Sequence, residues 1–129
     1  ERFARIYATR PLLQSGARVA YASDAPVDPL NYWYALEIAV TRNGEGPGKY
    51  AGALNADYAA TLEQAIEIFT LNSAFQLKQD HVSGSLEVGK FADLIVLDRN
   101  LFKIPINEVS ETRVLMTMVG GEIVYQRDF

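Results

Sequence analysis

The chain contains no cysteine. Disulfides, thiolate nucleophiles and cysteine-based zinc sites are therefore excluded. It has a single histidine, His81, so no histidine cluster can hold a metal, since zinc sites take three or more protein ligands. Nor can a Ser-His-Asp triad be assembled, because His81 has no evident nucleophile partner. Basic residues are in the minority, 12 Lys and Arg against 16 Asp and Glu, and nowhere form a run. A nucleic-acid surface needs clustered cations to neutralise phosphates, so nucleic acid is not an expected partner. No apolar run approaches the roughly 20 residues needed to cross a bilayer, which excludes a spanning helix and makes a membrane partner unexpected. An initiator Met is also missing: the chain starts Glu1-Arg2-Phe3, and Met116 and Met118 are its two methionines. That start reads as a processed or cut chain. No signal peptide is visible, the natural N-terminus is not seen, and a cytoplasmic location is the expectation.

What is present describes one domain with a modest core: 129 residues, 49% of them apolar. Phe3, Ile6 and Tyr7 stand at helical spacing. Thr9-Arg10-Pro11 predicts a helix start and Ser15-Gly16 its stop. Arg18 to Ala22 predicts a short strand ending at Ser23-Asp24. Asp28-Pro29 has the chemistry of a cap followed by a first helical residue, so a helix is expected from Pro29 to Arg42, closed by Asn43-Gly44. The stretch 43–55, with its "NGEGPGKY", reads as a solvated surface loop rather than a lid. Thr61 to Gln64 matches a capping box. The helix after it carries one apolar stripe at Leu62, Ala65, Ile66, Phe69 and Leu77 and a second at Ile68, Leu71 and Phe75, which predicts burial on two sides. Leu94 to Leu97 is a continuous apolar run and reads as a buried strand. Pro105 to Glu108 suits a helical turn. Val114 to Val119 and Glu122 to Tyr125 predict a hairpin around Gly120-Gly121.

"GSLEVGKFADLIVLD", Gly84 to Asp98, holds most of a phosphate-binding loop, G-x-x-x-x-G-K. Two requirements fail. The residue after the Lys must be Ser or Thr to reach Mg²⁺, and here it is Phe91. The loop must run from a strand into a helix, and here a helix precedes and a strand follows. Gly84 and Gly89 instead turn the chain between helix and strand. Lys90 and Asp93 are expected to pair across that turn.

Asp24 is the main candidate for chemistry. It stands just past the end of a predicted strand, the place from which catalytic groups project in strand–helix barrels. The other reading is a turn aspartate, since Ser-Asp-Ala-Pro is good turn chemistry. Tyr32, Trp33 and Tyr34 follow and could line a substrate mouth, although aromatics at a helix start more often pack. His81, beside Asp80, reads as a surface loop residue.

"GSLEVGKFADLIVLD" resembles the segment of amidohydrolase-superfamily enzymes where the chain leaves the catalytic barrel for a small β-sandwich. "RVAYASDAPVDPL" resembles the end of their last barrel strand, "TLEQAIEIFTLNSAFQL" the helix that follows, and "RNLFKIPINEVSETRVLMTMVGGEIVY" their closing hairpin. The order of the segments, from about Leu12 to Tyr125, is more specific than any one of them. The nearest resemblance is to the amidohydrolase 3 branch, which includes N-substituted formamide deformylases.

The resemblance implies an α/β fold: the C-terminal fragment of a (β/α)8 TIM-type barrel in residues 1–83, then the C-terminal strands of a composite β-sandwich in residues 84–129. A whole barrel takes roughly 200 residues or more, so the chain would hold its last strand and flanking helices. The Asp of "SDAPV" matches the family's last-strand aspartate, which implies that Asp24 is catalytic and a metal ligand in the intact parent. There it would take a proton from the metal-bound water and deliver it to the leaving amine. The implied cofactor is zinc or a similar divalent metal, held by the parent and not by this piece, since the family's His-x-His pair is absent. The implied substrate is a small molecule with an amide-type C–N bond. Cut from a barrel, the segment 18–22 would lose strand neighbours, and a homo-oligomer is expected. A stand-alone α+β binding or assembly module, and a cyclic-amide hydrolase or deaminase of the same superfamily, are the alternatives.

Overall fold

The structure, a computed structural model, describes residues 6–27, 30–44 and 52–128. Phe3, Asp28-Pro29 and most of the "NGEGPGKY" loop lie outside them. Helix α1 is Thr9–Gln14. Its end is the one expected. Gly16 has φ 84, and the amides of Gly16 and Ala17 donate to the carbonyls of Leu13 and Leu12 at 3.0 and 3.1 Å. This is the paired closure of a Schellman motif.

Helix α2 is Tyr32–Thr41, starting later than expected. Its cap is Asn31, whose side chain accepts from the Tyr34 amide at 3.3 Å. The helix stops at Arg42, which takes a left-handed conformation with φ 58, rather than at Asn43-Gly44. The Arg42 guanidinium pays for that turn: it donates to the carbonyls of Leu54 and Ile6 at 2.9 and 3.0 Å.

The capping box is present. The Thr61 side chain accepts from the Gln64 amide at 3.2 Å, and the Gln64 side chain accepts from the Thr61 amide at 3.0 Å. It opens α3, Leu62–Phe69. The single long helix expected here is instead two, because the backbone breaks at Thr70 (φ −121, ψ −90) before α4, Leu71–Gln76. Hydroxyls take up carbonyls around the break: Thr70 donates to Ile66 at 2.7 Å and Ser73 to Ile68 at 2.8 Å. Such residues compete with the helical ladder, and two of them lie within one turn. Burial follows Ala65, Ile68 and Ala74, whereas Leu77 and Phe75 are exposed.

Strands β1 (Leu94–Leu97), β2 (Val114–Val119) and β3 (Glu122–Gln126) form an antiparallel sheet in that order. The hairpin turns on Gly120 and Gly121, with φ 58 and 88, the two positive angles of a type I′ turn. A 3-10 helix, Ile106–Glu111, lies between β1 and β2. The buried-strand expectation for β1 needs correction: Ile95 and Val96 are 47% and 41% exposed. No second sheet covers them among the described residues.

Arg18 to Ala22 also departs from expectation. It forms no strand, since a strand exists only with a partner to complete its hydrogen bonds, and no described strand pairs with it. Its period of two nevertheless persists in the packing, because Val19 and Tyr21 both rest on the core. That core joins Leu36 of α2, Ala65 and Ile68 of α3, and Leu101 and Val109 from the β1–β2 connection. The most extensive packing between a helix and the second half of the chain runs from α2 to the 3-10 helix. It is fixed by Glu37, whose carboxylate accepts from the Ser110 amide at 2.7 Å. Among the described residues no helix is long and apolar enough to cross a membrane.

Candidate active site

The segment 18–22 delivers the chain to a turn at Ser23-Asp24-Ala25-Pro26-Val27. The turn is closed by the Val27 amide donating to the Asp24 carbonyl at 2.9 Å. Asp24 itself has φ 52. Asp is among the few residues that tolerate this left-handed region, and non-glycine residues held there concentrate at functional sites. The side chain is exposed, and among the described residues no hydrogen bond or ion pair engages its carboxylate. A purely structural turn aspartate would normally bond nearby amides.

A separate feature is an apolar cavity of about 730 Å³. Tyr32, Trp33, Phe69, Leu36, Leu97 and Leu101 form much of its wall. Asn31 and Thr70 in this wall are already engaged: Asn31 caps α2 and the Thr70 hydroxyl holds the Ile66 carbonyl. Tyr32 and Trp33 thus do line a cavity, but Asp24 is not part of its wall and Tyr34 is not either. The aromatic cluster and the carboxylate are not brought into one pocket.

His81 is exposed in the turn after α4. Among the described residues no group of three or more His, Cys, Asp or Glu could hold a metal ion. Asp24 contributes one carboxylate, and the residues described do not amount to a metal centre. Lys90 pairs with Glu87 at 3.1 Å and donates to the Ser85 hydroxyl at 2.6 Å, not with Asp93 as expected. Asp93 instead accepts from the Gly120 amide at 2.7 Å and ties the hairpin tip to the start of β1. The Ser85–Lys90 contact closes the Gly84–Gly89 turn, with Glu87 also bound to the ammonium. Sequence reasoning did not single out Tyr21, whose ring stacks on Phe69 with centroids 4.2 Å apart. Its place three residues before Asp24 was the available signal.

Comparison with known proteins bears on what this turn belongs to. A model of the amidohydrolase family matches residues 1–125. The chain belongs to the amidohydrolase family. Among curated relatives of this family, it is 35% identical to an N-substituted formamide deformylase of Arthrobacter pascens, over 95% of this chain and 22% of that protein. It is 51% identical to an imidazolonepropionase of Picrophilus torridus, over 53% of this chain and 19% of that protein. Among solved structures, an amidohydrolase from Thermotoga maritima MSB8 superposes with a TM-score of 0.64 at 27% identity, covering 90% of this chain and 25% of the other. The helices and antiparallel sheet described above are therefore the fold of part of an amidohydrolase. The chain spans less than a quarter of the length of the first two of these relatives.

Proposed function

We propose that the chain is the C-terminal part of an amidohydrolase that cleaves an amide-type C–N bond in a small molecule, with Asp24 as its catalytic carboxylate. The observation that carries this reading is the Asp24 turn: an exposed carboxylate on a left-handed residue, unengaged among the described residues. Family membership supplies the reaction class. In this proposal residues 1–83 belong to a (β/α)8 barrel and residues 84–129 to a composite β-sandwich. The N-substituted formamide deformylase among the relatives favours a simple N-substituted amide over a cyclic one.

Asp24 suits proton transfer. A carboxylate within hydrogen-bond reach of the attacking water removes its proton as the carbonyl is attacked. The same carboxyl then returns the proton to the departing nitrogen, base first and acid second. The family resemblance implies a divalent metal such as zinc, a Lewis acid that would polarise the substrate carbonyl when bound. The described residues bring no three ligands together for it, so this chain alone is expected neither to retain such a metal nor to hydrolyse amides. Replacement of Asp24 by Asn in the intact enzyme tests the reading, turnover being the quantity to watch.

A second reading is the self-contained α+β module. It is favoured by the core that, among the described residues, joins α2 and α3 to the β1–β2 connection. A gene product no longer than this chain, seen by mass spectrometry, would support the module and count against the larger enzyme.

A further inference from the structure

We propose that Tyr21 is a positioning residue for the Asp24 turn. The proposal rests on the catalytic reading of Asp24. Among the described residues, 18–22 take part in no strand, and the contacts seen to hold the segment that carries the carboxylate include side-chain ring packing. The Tyr21 ring lies flat on Phe69 of α3, with centroids 4.2 Å apart and planes inclined by 12°. It also meets Tyr32 edge-on at 6.3 Å and 79°. Both are favoured aromatic arrangements.

The position of these contacts gives them their consequence. Tyr32 is the first residue of α2, so Tyr21 and Tyr32 bracket in sequence the stretch of chain that contains Asp24. The edge-on contact therefore brings the two ends of that stretch together. The stack on Phe69 anchors that junction to α3, whose Ala65 and Ile68 are in the core. A loop whose ends are held together samples fewer conformations, and the remaining order within it needs few bonds. The Val27–Asp24 hydrogen bond is the closure seen inside it. Val19 also rests on the core, but it stands farther from the loop and touches neither loop end by a ring contact. Tyr21 acts on Asp24 through the base of the loop and not by touching reactants.

The experiment is ¹⁵N relaxation on the intact chain, read at the amides of Asp24 and Val27. Wild type and Tyr21→Phe, which keeps both ring contacts, are expected to give order parameters near ~0.85, the level of rigid backbone. Tyr21→Ala is expected to drop both amides below ~0.6 while the Ala65 amide in α3 stays unchanged. Phe69→Leu removes the stack without altering the loop's own sequence, and is expected to lower the same two amides. It carries the test if Tyr21→Ala fails to fold. Asp24 and Val27 amides that remain rigid in the folded variants would overturn the proposal. Asp24→Asn leaves the ring contacts in place and should not change these order parameters, whatever it does to turnover, so the two readings fail separately.

Discussion

Gly84 shows how tightly one residue can be specified. A Cβ placed there would lie 2.6 Å from the Ala74 Cβ and 3.1 Å from the Leu71 Cα, and its φ of 88 is unfavourable for any L side chain. The helix α4 and the turn toward β1 approach each other through the missing side chain. Gly84→Ala should therefore destabilise the chain by about 2–4 kcal/mol, combining left-handed strain with overpacking. Urea denaturation measures it, and the double variant with Ala74→Gly should recover only the part due to the Ala74 contact, since the Leu71 backbone stays in place. A single variant as stable as wild type would show that the turn can move away from α4. The sequence pointed to this glycine as a bend between helix and strand but not to its close approach, because contact with Ala74 depends on where α4 begins. The same holds for Asp24. Its turn chemistry and its place after an alternating segment were legible. Its left-handed φ and unengaged carboxylate were not, since nothing local in Ser-Asp-Ala-Pro dictates them.

At the level of elements, local chemistry was readable and distant partners were not. The capping box at Thr61, the Ser15-Gly16 stop and the Gly120-Gly121 hairpin each need only neighbouring residues, and each is found as expected. The break at Thr70 was missed because two apolar stripes outweighed a pair of hydroxyls that satisfy carbonyls around it. The strand reading of residues 18–22 failed for lack of a partner, although Val19 and Tyr21 keep the alternation. Lys90 chose Glu87 over Asp93 because the hairpin tip claims Asp93 from 27 residues away. The hairpin offers a direct check. Gly120 sits at φ 58, where a β-branched side chain is strongly disfavoured. Gly120→Val should lower the melting temperature by several degrees, consistent with a loss of about 1–2 kcal/mol or more. An unchanged midpoint would mean that the turn adopts another type at no cost.

For the molecule as a whole, the sheet and the cavity set the expectations. Ile123, Val124 and Tyr125 of β3 are about half exposed, as are Ile95 and Val96 of β1, and the sheet has two open edges among the described residues. Open edges and exposed apolar strands favour association. We therefore expect the isolated chain to form a homo-oligomer. Sedimentation velocity over a tenfold concentration range should show mass above that of the monomer, whereas a clean monomer throughout would refute it. The family was legible in the order of four short segments, which the match over residues 1–125 supports. The core that joins both halves among the described residues was not, because it depends on α2 meeting the β1–β2 connection through Glu37 and Ser110.

The carboxylate of Asp24 carries the proposed chemistry. The most direct measurement is steady-state turnover of the intact enzyme on an N-substituted formamide, comparing wild type with Asp24→Asn. Asn keeps the shape and tolerates the left-handed backbone, but it cannot accept and return a proton. The account predicts a fall in kcat of about 10²–10⁴-fold, the usual contribution of a positioned acid–base group, with the melting temperature unchanged because the side chain is exposed. Near-normal kcat in the folded variant would contradict it and leave Asp24 as a turn residue.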